Sequence, residues 1–258
     1  LIVKGRIEFI GSKTTPIIFE SLDSGWKGLY VLSDEDSKSI LHNVIFKDTT
    51  GLSDGLLALS GGVNIYKGSV DLRGVTIDGS SAEDALNIVK ASIFVDGLNI
   101  QNTTSDAFDC DYCIGTINES YFNQIDGDAL DFSGSEVAIE SIEINHVKDK
   151  GLSIGEASSV QINNSSFTNV GVGIAAKDGS KASADNVTIS SFTLYAAMTY
   201  SKKKYYDTFS SLDLNNCMIE GIDPYLRQTK TLLIINGIEE VEREVDVEKL
   251  YSSGVMKK

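Results

Sequence analysis

Apolar and polar residues alternate along most of the chain in runs of three to six, and each run ends at Gly, Asn, Asp or Ser. Alternation of period two predicts strands with one buried face, and the punctuating residues predict tight turns between them. The runs themselves recur. A β-branched or aromatic residue followed by a polar, Asn-rich turn stands at Ile77, Ile100, Phe122, Ile144, Phe167 and Ile189, in steps of 23, 22, 22, 23 and 22 residues. A second marker keeps the same register: Asp84-Ala85-Leu86-Asn87, Asp106-Ala107-Phe108-Asp109, Asp128-Ala129-Leu130-Asp131, Lys150-Gly151-Leu152-Ser153 and Val172-Gly173-Ile174-Ala175. Such a period leaves no room for a helix between strands, and the signature of leucine-rich repeats is missing. Each repeat can bury its inward side chains only by stacking on its neighbours. The pattern predicts an all-β, right-handed parallel β-helix of about eight or nine coils over residues 1–238. Leu86, Phe108, Leu130, Leu152 and Ile174 should form one internal column.

Two coils are longer, with 31 residues from Phe46 to Ile77 and 30 from Ile189 to Ile219. The excess is assigned to inserted loops at 60–67 and 199–208, both leaving after the same strand. Six coils, or about 29 Å, separate them, so they would wall the two ends of one face as a trough. Residues 239–258 form a cap and tail, with a helix over 239–251 closing the last coil. The strand that begins at Leu1 suggests that a processed segment or a preceding domain has been removed.

Composition narrows the function. The 258 residues carry 37 Asp and Glu against 22 Lys and Arg, a net charge of −15, which repels nucleic acid and anionic membranes. No run of 18 apolar residues is present, so no membrane insertion is expected.

The segments "AEDALNIVKA", "SDAFDCDYCIGTINESYF", "GDALDFSGS", "DKGLSIGEASSVQI" and "YSKKKYYDTF" resemble the bacterial β-helix regions associated with spore-coat-kinase (CotH)-like envelope proteins, over residues 3–254. The resemblance implies a secreted or envelope-attached right-handed β-helix, often beside a catalytic domain that this chain lacks, with no catalytic role established for the β-helix itself.

Stacking at about 4.8 Å turns equivalent residues into ladders. Asp84, Asp106 and Asp128 form one ladder. Asn87, Asp109 and Asp131 form a second, and alternation points Asp109, Asp111 and Asp131 outward. Clustered carboxylates suit Ca²⁺, so Asp109, Asp111 and Asp131 are candidate ligands, while turn acids that bond their own backbone are the plain structural alternative. Lys150, Lys177, Lys202, Lys203 and Lys204 add cations, and Tyr200 and Tyr205 add stacking faces for an acidic polysaccharide. The expected function is a non-catalytic extracellular or envelope module that binds an acidic glycan, Ca²⁺ or an envelope or filament protein along this face. The alternative is a polysaccharide lyase or epimerase with Asp109, Asp131 and Lys150 in its centre; a hydrolase would need two outward carboxylates, which Asp109 and Asp131 supply. His42 and His146 read as solvated turn residues, too far apart to share a metal. Cys110 and Cys113 read as unbridged, with the first facing the core.

Overall fold

Parallel pairing repeats at every coil step and fixes the architecture. The structure, a computed structural model, describes residues 1–22, 25–54, 57–203, 205–206, 209–222, 224–252 and 256. The chain winds as a right-handed parallel β-helix of about nine turns. Each turn lays one strand on each of three faces. Face C carries Thr76–Ser80, Asn99–Thr103 and Tyr121–Ile125, and face A carries Asp106–Asp111, Leu130–Ser133 and Tyr195–Tyr200. Face B carries Ile114–Asn118, Glu136–Glu140 and Ser159–Asn163. Longer strands such as Asp84–Asp96 turn the corner from A to B without a break.

The internal column is in register as the repeat predicts. Leu86 pairs with Phe108, Phe108 with Leu130, Leu130 with Leu152 and Leu152 with Ile174, and all five are buried. Face C adds Phe46, Ile77, Ile100, Phe122, Ile144, Phe167 and Ile189 as a second buried column. The corners explain the Asn-rich turns. Asn43, Asn164, Asn186 and Asn216 hold φ between 50° and 53° where face B turns into face C. Asn tolerates this left-handed region because its short amide bonds locally. Serines then satisfy the corner amides of the coil before them: Ser135 Oγ accepts from Cys113 N (2.8 Å), Ser158 Oγ from Ser135 N (3.0 Å) and Ser180 Oγ from Ser158 N (3.2 Å).

Three expectations are corrected. Residues 60–67 are no loop, because Gly61–Arg73 is a continuous strand whose Asn64 pairs with Asn87. The extra residues of that coil precede the strand, in an antiparallel pair of Leu52–Asp54 with Leu57–Leu59. The second insertion does follow a face A strand, between Tyr200 and Ser211. The two insertions therefore leave opposite ends of the face A strands and do not wall one trough.

The acidic run that reads as a helix over 239–251 is helical only at Val247–Ser252. Its glutamates serve a buried arginine instead. Arg227 Nη1 donates to Glu239 Oε1 at 2.7 Å and Nη2 to Glu242 Oε1 at 3.2 Å, and Glu242–Arg243 extends face A by pairing with Arg227 and Gln228. Strand pairing thus runs past residue 238. The tail covers the last coils from the side: Val245, Val247, Leu250, Tyr251 and Met256 pack on Val172, Ala175, Met198, Tyr200 and Leu226, apart from the main core.

Cys110 and Cys113, read as unbridged, form a disulfide. Tyr112 between them adopts a φ of 55°, and this left-handed corner brings their Cα atoms to 5.9 Å, within bridging range. Cys217 is buried and unbridged.

Candidate functional site

Face A presents three outward columns, each set by the pairing register. One carries Asp84, Asp106, Asp128 and Lys150. The next carries Asn64, Asn87, Asp109, Asp131, Ser153, Ala175 and Met198. The third carries Tyr66, Val89, Asp111 and Ser133, with Lys177 and Tyr200 higher up.

The first column is structural. Asp106 Oδ1 accepts from Asp128 N at 2.7 Å, and Asp128 Oδ1 accepts from Lys150 N at 3.0 Å, so each carboxylate ties down the backbone of the next coil. Asp84 Oδ2 accepts from Asn87 Nδ2 at 3.0 Å. Burial, with a smaller contribution from Asp106, pushes the Asp84 carboxyl up to about 6.

The two face A lysines are not open to a ligand, contrary to the expectation for Lys150 and Lys177. Lys150 is buried, with Nζ 3.0 Å from Asp128 Oδ1 and 2.8 Å from Asp149 Oδ2. Burial pulls an ammonium down, but these two carboxylates outweigh it and the Lys150 pKa is raised. Lys177 is buried too, and Nζ donates to Ser153 Oγ at 2.5 Å and lies 3.6 Å from Asp131 Oδ1. To reach Asp131 its stem crosses Gly155, where a Cβ would sit 2.9 Å from Lys177 Cε, so a side chain at 155 would require the Lys177 stem to shift. Its pKa is likewise raised, burial being outweighed by Asp131. A lysine held this way makes a poor proton-abstracting base, which removes the role expected of Lys150 in a lyase.

Asp109 stands differently. It is half-buried between Asn87 below and Asp131 above, and its carboxyl is pushed up to about 9, first by burial and then by Asp84, Asp131, Asp111 and Asp106. A carboxylic acid that keeps its proton at neutral pH thus sits one coil from Asp131, whose counter-charge is Lys177. Asn87 Oδ1 is buried with no hydrogen-bond partner, in the position next to Asp109. Asp111 is also raised, by burial first and then by Asp131.

The inserted loop contributes less than its sequence suggests. Lys203 pairs with Glu156, whose carboxyl also accepts from Ser133 Oγ at 2.9 Å. Lys202 Nζ lies 3.9 Å from the Tyr251 ring centre, and Asp178 Oδ1 holds the backbone amides of both lysines at 2.6 and 2.7 Å. Lys204 lies outside the described residues. Tyr205 is 84% exposed, as a stacking residue requires, whereas Tyr200 is fully buried beneath Tyr251 and offers no face.

The proposed trio of Asp109, Asp111 and Asp131 does not converge as a metal cage. Among the described residues the carboxylate oxygens that lie within 4.8 Å of one another belong to Asp106, Asp128 and Asp131. Two of those three already bond backbone amides. His42 is no solvated turn residue either: it ends a face B strand, with Nε2 3.2 Å from Asp71 Oδ1. Hydrogen bonding from Arg73 and His42, against a smaller burial effect, holds the Asp71 carboxyl down to about 2. His146 is exposed at a corner, as expected. Tyr251, Asp149 and Glu156 escaped the sequence reading. Glu156 follows the Lys150 repeat directly, but Tyr251 gave no signal because it meets Tyr200 across 51 residues.

No family model matches the chain, and no curated protein matches it. Among solved structures, it is similar to the catalytic unit of a thermostable GH87 alpha-1,3-glucanase from Streptomyces thermodiastaticus strain HF3-3, at 10% identity and a TM-score of 0.40. The match covers 87% of this chain and 54% of that one, so this chain spans about half the length of its neighbour.

Proposed function

We propose that the chain is a secreted or envelope-attached β-helix whose face A takes a glycan, and that Asp109 and Asp131 are the chemical centre of that face. One observation carries the reading: these outward carboxyls sit in register on neighbouring coils, and neither bonds the backbone as Asp106 and Asp128 do. Their strands lie about 4.8 Å apart, near the ~5–5.5 Å that separates acid and nucleophile in retaining glycoside hydrolysis. In that chemistry Asp131 bonds the anomeric carbon as the glycosidic C–O bond breaks, and the Asp109 hydroxyl gives its proton to the departing glycosidic oxygen, which leaves as an alcohol. Water then attacks the anomeric carbon, its oxygen displacing the Asp131 carboxylate while one of its protons returns to Asp109.

Reducing-end release from xylan, α-1,3-glucan, pectate and alginate tests this with wild type, Asp109→Asn and Asp131→Asn. Release by wild type that both variants lose supports the hydrolytic centre. Retention of a polymer in affinity electrophoresis without release leaves a non-catalytic glycan-binding module. Neither release nor retention removes the glycan reading.

A second reading rests on the convergence of Asp106, Asp128 and Asp131. An added Ca²⁺ there would compete with Lys150 for Asp128 and with Lys177 for Asp131, and would let the face bridge to a uronate carboxylate, which a net charge of −15 otherwise repels. A melting temperature that rises with Ca²⁺, and does not in Asp131→Asn, supports it; an unchanged wild-type melt removes it.

A further inference from the structure

A groove separate from the carboxyl pair runs along the corner where face C turns into face A. It is a cavity of about 940 Å³ lined from Asn102 at one end to Thr193 at the other. Its outer rim is a row of four corner residues, Asn102, Gln124, His146 and Asn169, each with φ between 53° and 59°. The left-handed backbone repeats at each coil, so the four side chains stand one above another, all exposed. Asn102 Nδ2 bonds Asp78 and Asn169 Nδ2 bonds Asn145, which fixes both amides against the preceding coil. The charged pair in the lining, Asp126 and Lys148, is self-neutralised at 2.7 Å.

We propose that this groove binds a neutral oligosaccharide, one ring per coil. Amides, an imidazole and threonine hydroxyls give both donors and acceptors at the coil spacing of about 4.8 Å, and a sugar ring offers the same mixture on its edges. Other occupants fit less well. An anionic polymer meets a molecule of net charge −15, and among the described lining residues the one Lys or Arg, Lys148, is already paired with Asp126. An extended peptide would need an open strand edge, and the strands flanking the corner pair with both neighbours along these coils. Four coil steps give about 19 Å, enough for four or five rings.

The test is an array of neutral hexose and pentose oligosaccharides from two to eight units, followed by calorimetric titration with the tightest. Affinity should climb with length to four or five units and then level off. The double variant Gln124→Gly with His146→Gly keeps the corner unstrained, since glycine takes positive φ freely, and should weaken binding at least about tenfold with an unchanged melting temperature. Both changes lie in the groove and outside face A, so the loss they cause separates this site from the carboxyl pair. An array with no neutral ligand retained, or a double variant that binds like wild type, overturns the proposal.

Discussion

The hydroxyl of Tyr251 lies 2.6 Å from that of Tyr200, and this contact joins the tail to the upper coils of face A. Tyr251 also brings its ring centre within 5.8 Å of Lys150 Nζ and 3.9 Å of Lys202 Nζ. One aromatic side chain thus roofs the buried lysine row. The acidic half of the face below it, Asp109, Asp111 and Asp131, stays half-exposed, and this division confines the candidate chemistry to carboxyl groups.

Tyr251→Phe removes one hydrogen bond and should cost about 1 kcal/mol in urea unfolding. Tyr251→Ala removes the roof as well and should cost roughly 3–5 kcal/mol. Mass-spectrometric mapping after acetic anhydride treatment should then find Lys150 and Lys177 modified in Tyr251→Ala but protected in Tyr251→Phe. Equal protection in all three proteins would mean that the tail does not seal these lysines.

Lys150 neutralises two carboxylates in a dry setting, so its loss should be felt more than that of any loop lysine. Lys150→Met leaves Asp128 and Asp149 buried without their counter-charge and should destabilise by roughly 3–5 kcal/mol. Adding Asp128→Asn should recover part of this. Lys202→Ser, at an exposed position, should cost under about 1 kcal/mol. Thermal melts of the four proteins rank them, and a Lys150→Met cost as small as that of Lys202→Ser would remove the ion-pair assignment.

The repeat made the coil stack readable because register in a solenoid depends only on spacing, and Ile77 to Ile189 keep that spacing. Length excess, in contrast, says how many residues are added and not where. Gly61 and Gly62 resemble a loop but lie in a strand, and the added residues fall before them. The outward direction of Asp109, Asp111 and Asp131 followed from alternation. What alternation cannot give is who covers an outward residue: Lys150 and Tyr200 point out of the coil and are still buried, because a tail far along the chain packs on them. The Cys110–Cys113 bridge was hidden for a related reason, since it depends on the left-handed φ at Tyr112 and not on the spacing of the cysteines.

Core and face should respond differently to truncation. Phe108 is fully buried, with its ring centre 6.5 Å from that of Phe132 in an edge-on contact. Phe108→Ala leaves a cavity that the paired strands above and below cannot close, at a cost of roughly 3–5 kcal/mol. The disulfide should matter less. It closes a loop with a sequence separation of only 3, so Cys110→Ser with Cys113→Ser should cost at most about 2 kcal/mol on loop-entropy grounds. Urea titrations of both variants test the order, and a larger loss from the cysteine pair would place the weight of this corner on the bridge.

Asp109 should set the alkaline side of the stability profile. Its carboxyl is pushed from 3.8 in the unfolded chain to about 9 in the folded one, so between these values the folded state binds the extra proton. Stability is then fully present below pH 3.8 and falls as the pH rises towards 9, by on the order of several kcal/mol over the window. Asp84, raised to about 6, adds a loss of the same sign that is complete near pH 6. Asp71 acts oppositely, since its carboxyl is held down to about 2 and its contribution disappears as the pH drops below 3.8. Asp109→Asn keeps the shape and removes the titration. Urea midpoints measured from pH 4 to 9 should therefore decline in wild type and run flatter in Asp109→Asn, with the variant the more stable of the two at pH 9. Parallel curves for the two proteins would show that Asp109 does not hold a proton in the folded state, and would take the general acid out of the proposed centre.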